Sequence, residues 1–207
     1  MGGCLYVSGG AGLACAVTSV LVYSRLRHLL EWGVVLAMAV VAAPLWSDAM
    51  TTSLVDPESR AKVAAFVVLG LALVAGLGLS ADLGEVERLR PTPLHVLRLG
   101  HATFLAISGA TILVVIAGVP AGSILLALIG GQMACAALLP HLPHWLPVLV
   151  AFAFMFVLGV DFVRHEFSAW AIWIDPRPLG VITNFAIGLC GSVIWILIGP
   201  ARSGESG

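Results

Sequence analysis

The spacing of charges limits this chain more than any other feature. Asp, Glu, Lys and Arg make up 10% of its 207 residues, and they gather in short clusters between long apolar runs. A soluble domain carries about a quarter charged residues, so this chain has too few to cover a water-facing surface. A run of about 18 apolar residues or more can cross a hydrocarbon core of about 30 Å as a helix. In lipid the backbone must bond within itself, which leaves helices or closed barrels. Barrel strands alternate apolar and polar residues over about ten positions; these runs are longer and apolar on every face. The expected fold class is therefore all-α: a polytopic integral membrane helical bundle of six or seven transmembrane helices, with residues 1–207 as a single transmembrane domain.

The expected spans are residues 5–23, 29–46, 61–79, 100–119, 123–139, 145–160 and 179–198. The first carries Ser8, Gly12 and Ala16 four apart, a small stripe that lets helices approach in lipid. Trp32 and Trp46 bracket the second as interface anchors. Asp56-Pro57-Glu58 reads as the start of the third helix, with Asp56 as N-cap and Pro57 at the first helical position. Gly118-Val119-Pro120-Ala121-Gly122 reads as a tight turn between the fourth and fifth. Residues 161–178 are half polar and carry Trp170 and Trp173 three apart, the pattern of a helix lying in the interface plane. Six spans result if the Gly-rich first segment does not cross.

Short loops rich in Arg and Lys stay in the cytoplasm. Alternating the loops places Arg25, Arg27, Arg88, Arg90, Arg98 and Arg202 inside, and Arg60, Lys62, Arg164 and Arg177 outside. The expected location is a bacterial plasma membrane with a cytoplasmic C-terminus. Arg in nine of ten basic positions, with abundant Ala, Gly, Val and Leu, suggests a GC-rich bacterial genome. Residues 1–23 lack a basic start, so they read as a retained span, not a cleaved signal. A net charge of −1 implies no nucleic-acid partner.

Several chemistries find no support. No G-x-x-x-x-G-K-[ST], G-x-S-x-G or H-E-x-x-H occurs. Cys4, Cys15, Cys135 and Cys190 lie far apart and read as small packing residues. His28, His95, His101, His141 and His144 map to the inner face and His165 to the outer; they read as interface histidines. His141 and His144 alone make two ligands, too few for a metal site. No catalytic, metal-binding or cofactor-binding residue is assigned, and no catalytic activity is expected of the chain itself.

Three groups remain as candidate functional residues. Gln132 and Asn184 are the only amides in the chain and both fall within spans. An intramembrane amide must face a neighbouring helix or a wet cavity, so they either bond between helices or line a substrate path. The loop 80–98 holds the densest charge; it is either a solvated loop or a docking elbow in which Glu85, Glu87, Arg88, Arg90 and Arg98 meet a cytoplasmic partner. Asp161, Arg164, Trp170, Trp173 and Arg177 form the outer-interface counterpart, with snorkelling at the membrane surface as the plainer reading.

Taken together, the all-apolar helices, the small extramembrane mass and the inner loop Glu87-Arg88-Leu89-Arg90-Pro91-Thr92-Pro93 resemble small ABC-2-type permease-like membrane proteins of high-GC Gram-positive bacteria. The resemblance implies a non-enzymatic transporter subunit that exports an apolar or amphipathic compound, driven by a separate cytoplasmic ATPase. Besides the lipid bilayer, its expected partners are sister membrane subunits or a second copy in a homodimer. Two other readings stand beside it: a structural or assembly subunit of a larger membrane complex, and a membrane redox or lipid-modifying enzyme.

Overall fold

A computed structural model describes residues 29–46, 48–52, 56, 60–77, 94–139, 142–174 and 177–198. The expected first span, residues 5–23, and the charged loop 80–93 lie outside the described residues. Where described, the chain is mostly helical. The segment expected as the second span divides into α1 (Leu29–Val41) and α2 (Ala43–Trp46). Pro44 lacks the N–H that a continuous helix would need there. Trp46 turns back and donates from Nε1 to the Ala39 carbonyl at 3.1 Å.

Strand β1 (Met50–Thr52) then pairs antiparallel with β2 (Arg60–Lys62), Met50 opposite Lys62 and Thr52 opposite Arg60. This hairpin replaces the helix start expected at Asp56-Pro57-Glu58. Helix α3 begins only at Val63 and ends at Leu77. Asp56 lies between the two strands and its carboxylate is engaged by a distant side chain described below.

Helix α4 is nominally Leu94–Leu138, 45 residues, which as one straight rod would reach about 67 Å. It is two arms. Gly118 has φ 84° and ψ 172°, a backbone setting open essentially to glycine alone, and Pro120 follows it. The chain folds back there so closely that a Cβ built on Gly122 would lie 2.5 Å from Val114 Cγ2 and 2.9 Å from the Ala110 carbonyl. The arms, residues 94–117 and 119–138, thus run antiparallel about the turn expected at 118–122.

Helix α5 (Trp145–Leu158) leads into β3 (Val160–Asp161) and β4 (Glu166–Phe167), a second antiparallel hairpin, and α6 (Pro178–Ile198) follows. The in-plane helix expected over 161–178 is therefore a hairpin and a run of turns among the described residues. Its polar residues satisfy a four-residue loop, where Asp161 Oδ1 accepts the Val163 and Arg164 N–H groups at 3.0 and 3.4 Å. These two hairpins are the departure from an all-α fold.

Helix α6 lies along the second arm of α4. They meet glycine on glycine: a Cβ on Gly130 would sit 2.6 Å from Gly188 Cα, and one on Gly191 would run into the Gly130 carbonyl. Helix α3 packs on α4, and α1 packs on α3. Phe66 of α3 meets α5 edge-on through Phe152 and Phe156, with ring centroids 5.5 and 4.9 Å apart. Phe156 stacks in turn on Phe167 of β4. Trp32, Val68, Leu105, Leu113, Leu125, Leu128, Met133 and Trp195 fill the buried middle.

The bundle has two distinct ends. Both hairpins and the Gly118 turn share one: β2 touches β4, and Lys62, Ala117, Pro120 and Ile174 line one small pocket. The C-terminus of α3, the end of α4 and the start of α5 share the other. Among the described residues, two helices are long and apolar enough to cross a membrane, α6 and the Leu99–Leu138 stretch of α4, the latter folded back on itself at Gly118. Six or seven were expected. Helices α1, α3 and α5 are apolar but have 13, 15 and 14 residues, a rise of about 20–22 Å, because strands and turns take the ends of those segments.

Candidate functional site

The two amides are both fully buried, one near each end of the bundle. Gln132 sits on the second arm of α4 and donates from Nε2 to the Ala72 carbonyl of α3 at 2.9 Å. Asn184 sits in the second turn of α6. Its Nδ2 donates to the Ile172 carbonyl at 3.2 Å and to Ser123 Oγ at 3.4 Å. Ser123 donates to the Pro120 carbonyl at 2.8 Å, in the first turn after the break in α4. Each amide therefore ties its own helix to backbone elsewhere. Gln132 Oε1 and Asn184 Oδ1 have no hydrogen-bond partner among the described residues.

One turn beyond Ala72, the Gly76 carbonyl accepts from His144 Nε2 at 2.7 Å. His144 immediately precedes α5, outside the helices. Burial pushes its imidazole below the ordinary value of 6.5; the bond to Gly76 opposes that more weakly. The neutral ring with its proton on Nε2 is the form this geometry holds. Gly76 has no side chain, and the Gln132 carbonyl oxygen occupies the place a Cβ would take. Gln132 and His144 thus grip two successive turns of α3 from α4 and from the start of α5.

At the hairpin end, His165 Nδ1 and Asp56 Oδ2 are 2.9 Å apart, joining the two hairpins. The Asp56 side chain is 8% exposed and that of His165 48%. His165 has φ 52°, the left-handed setting that closes the β3–β4 loop; histidine tolerates it better than most residues. Reading each residue in its own segment missed this pair, since 109 positions separate them. The one available signal was that alternating loops put both segments at the same end.

The outer-interface residues fare differently from one another. Asp161 caps its own turn, and Arg164 lies 4.0 Å from it. Arg177 Nη2 reaches Glu166 at 3.3 Å and donates weakly to the Phe167 carbonyl at 3.5 Å. Trp170 is half exposed against Phe154. Trp173 is no interface anchor: it is buried, and its Nε1 has no hydrogen-bond partner among the described residues. Of the docking elbow, Glu85, Glu87, Arg88 and Arg90 lie outside the described residues; Arg98 lies on α4, with its side chain outside the description. No group of three metal-ligating side chains occurs among the described residues. No family model, curated protein or solved structure matches this chain.

Proposed function

We propose that this chain is an integral membrane protein, a polytopic bundle with its hairpin end outside, that serves as a structural subunit of a larger membrane assembly. The observation that carries this reading is the use made of the two amides. Both bond backbone carbonyls of neighbouring segments, the interhelical role worth about 0.6–2 kcal/mol each in lipid. The Gly130–Gly188 contact closes the bundle between them. Many apolar side chains outside the core face outward: Val115 is 81% exposed and Leu179 76%. Such a surface suits lipid or partner helices. Carbonate extraction tests the membrane half of the reading; release of the chain to the soluble fraction overturns it. Blue-native electrophoresis of gently solubilised membranes tests the other half, and a fixed assembly larger than the chain is expected.

A second reading has one observation in its favour. An apolar groove of about 350 Å³ opens sideways between the arms of α4 and α6, bordered by Ile107, Val114, Leu126 and Phe185. A transporter subunit handling an apolar compound would present such a surface, with Arg88 and Arg90 docking an ATPase. Co-purification of an ATPase that Arg88→Glu with Arg90→Glu abolishes would favour this reading over the first.

A further inference from the structure

We propose that His144 and Gln132 form an acid-released clamp on the C-terminal turns of α3, which opens this end of the bundle when His144 takes up a second proton. The clamp is the pair of bonds from Gln132 to the Ala72 carbonyl and from His144 to the Gly76 carbonyl. It ties α3 to the second arm of α4 and to the short connection, residues 139–144, that leads from that arm into α5. Both bonds fall on the last two described turns of α3, so they contribute to how firmly this end stays packed.

The closed clamp carries an unmet demand. Gln132 Oε1 is buried against Gly76 and has no hydrogen-bond partner among the described residues. A buried acceptor without a donor is costly, and water supplies the donor once the site opens. The closed state is therefore balanced between two good bonds and one missing one. A second proton on His144 must go to Nδ1, because Nε2–H already faces the Gly76 carbonyl. The resulting cation strengthens that one bond, but burial acts against it more strongly.

Among the described residues, α3, the second arm of α4 and α5 contribute no carboxylate and no cation to offset the charge, and Cys135 is the one other titratable group on these three elements; Glu31 stands in the first turn of α1, which packs on α3. On the first arm of α4, His101 lies against Trp195 instead. Since the folded state disfavours the imidazolium, the unfolded or opened chain binds the proton first. Closure is complete above the ordinary histidine value of 6.5 and weakens as pH falls below it.

Hydrogen–deuterium exchange of the purified full chain tests this, with rates corrected for the intrinsic effect of pH. Protection over residues 72–77, taken relative to α6, is expected to fall about threefold or more between about pH 7.5 and 5.5. His144→Gln keeps a donor but cannot titrate, and its protection is expected to stay level. Gly76→Ala displaces the Gln132 oxygen and is expected to show low protection at both pH values. Unchanged wild-type protection overturns the proposal, as does an equal fall in His144→Gln. If that variant does not fold, ring ¹⁵N shifts of His144 in the wild type decide. A neutral ring at the lower pH, or a doubly protonated ring with Gly76 still protected, overturns it.

Discussion

Single atoms decide most at the contact between α4 and α6. A Cβ on Gly130 meets Gly188 backbone within 3.0 Å on three atoms, and backbone cannot rotate aside as a side chain can. Gly130→Ala is therefore expected to destabilise by about 1–3 kcal/mol, the usual cost of overpacking. Gly70 of α3 is the control, because a Cβ there meets nothing within 4 Å. Gly70→Ala is expected to be neutral or to stabilise by up to about 1 kcal/mol through helix propensity. Equilibrium unfolding of the two variants in detergent measures the contrast; equal effects would mean that the glycine contact is not a close one. Asn184 poses a related question in polar terms. Asn184→Ala removes both of its bonds and also the unpartnered Oδ1, so the expected loss is at the modest end of about 0.6–2 kcal/mol.

Among elements, the turn within α4 and the two hairpins show what pattern reading can and cannot reach. The Gly118–Pro120 turn was legible because glycine and proline act through local backbone sterics, which need no knowledge of neighbours. Gly118→Ala is expected to cost about 1–3 kcal/mol in the same unfolding assay, since a side chain at φ 84° is strained. The hairpins were not legible. Asp56-Pro57-Glu58 carries a sound helix-start signal, yet Asp56 is used by His165 across the chain, and local signals yield to such tertiary partners. Trp173 misled for a similar reason: three-residue spacing from Trp170 suggests a shared face, but turns set the two apart in depth. The amides were legible as residues that must find partners; which carbonyls they would find was not. The Asp56–His165 pair yields the element-scale test. Asp56→Ala removes a buried carboxylate and its bond to the half-exposed His165 and is expected to cost about 1–3 kcal/mol, of the order of a hydrogen bond to a charged group, whereas Glu166→Ala, at an exposed pair with Arg177, is expected to stay within about 0.5 kcal/mol.

For the whole molecule the question is which medium meets its sides. Charge was the informative quantity because it measures how much surface water can wet, and that inference needs no fold. Helix count was less accessible: apolar residues continue into hairpins and turns, so run length overstated α1, α3 and α5. The structure sorts its polar groups by end instead. Asp56, Asp161, Arg164, His165, Glu166 and Arg177 gather at the hairpin end, and His144 stands at the other. Between them α6 exposes Ile182, Leu189 and Leu197. A membrane around that band would hold the two ends in different compartments, with the Arg-rich loops keeping the His144 end inside. Val163, 89% exposed in the β3–β4 loop, and Leu142, 49% exposed beside His144, report the two ends. With Cys4, Cys15, Cys135 and Cys190 replaced by Ser, Val163→Cys in intact cells is expected to react with an impermeant maleimide. Leu142→Cys is expected to react only after the cells are opened. Labelling of Leu142→Cys alone in intact cells would invert the orientation, and labelling of both would mean that no bilayer separates the ends.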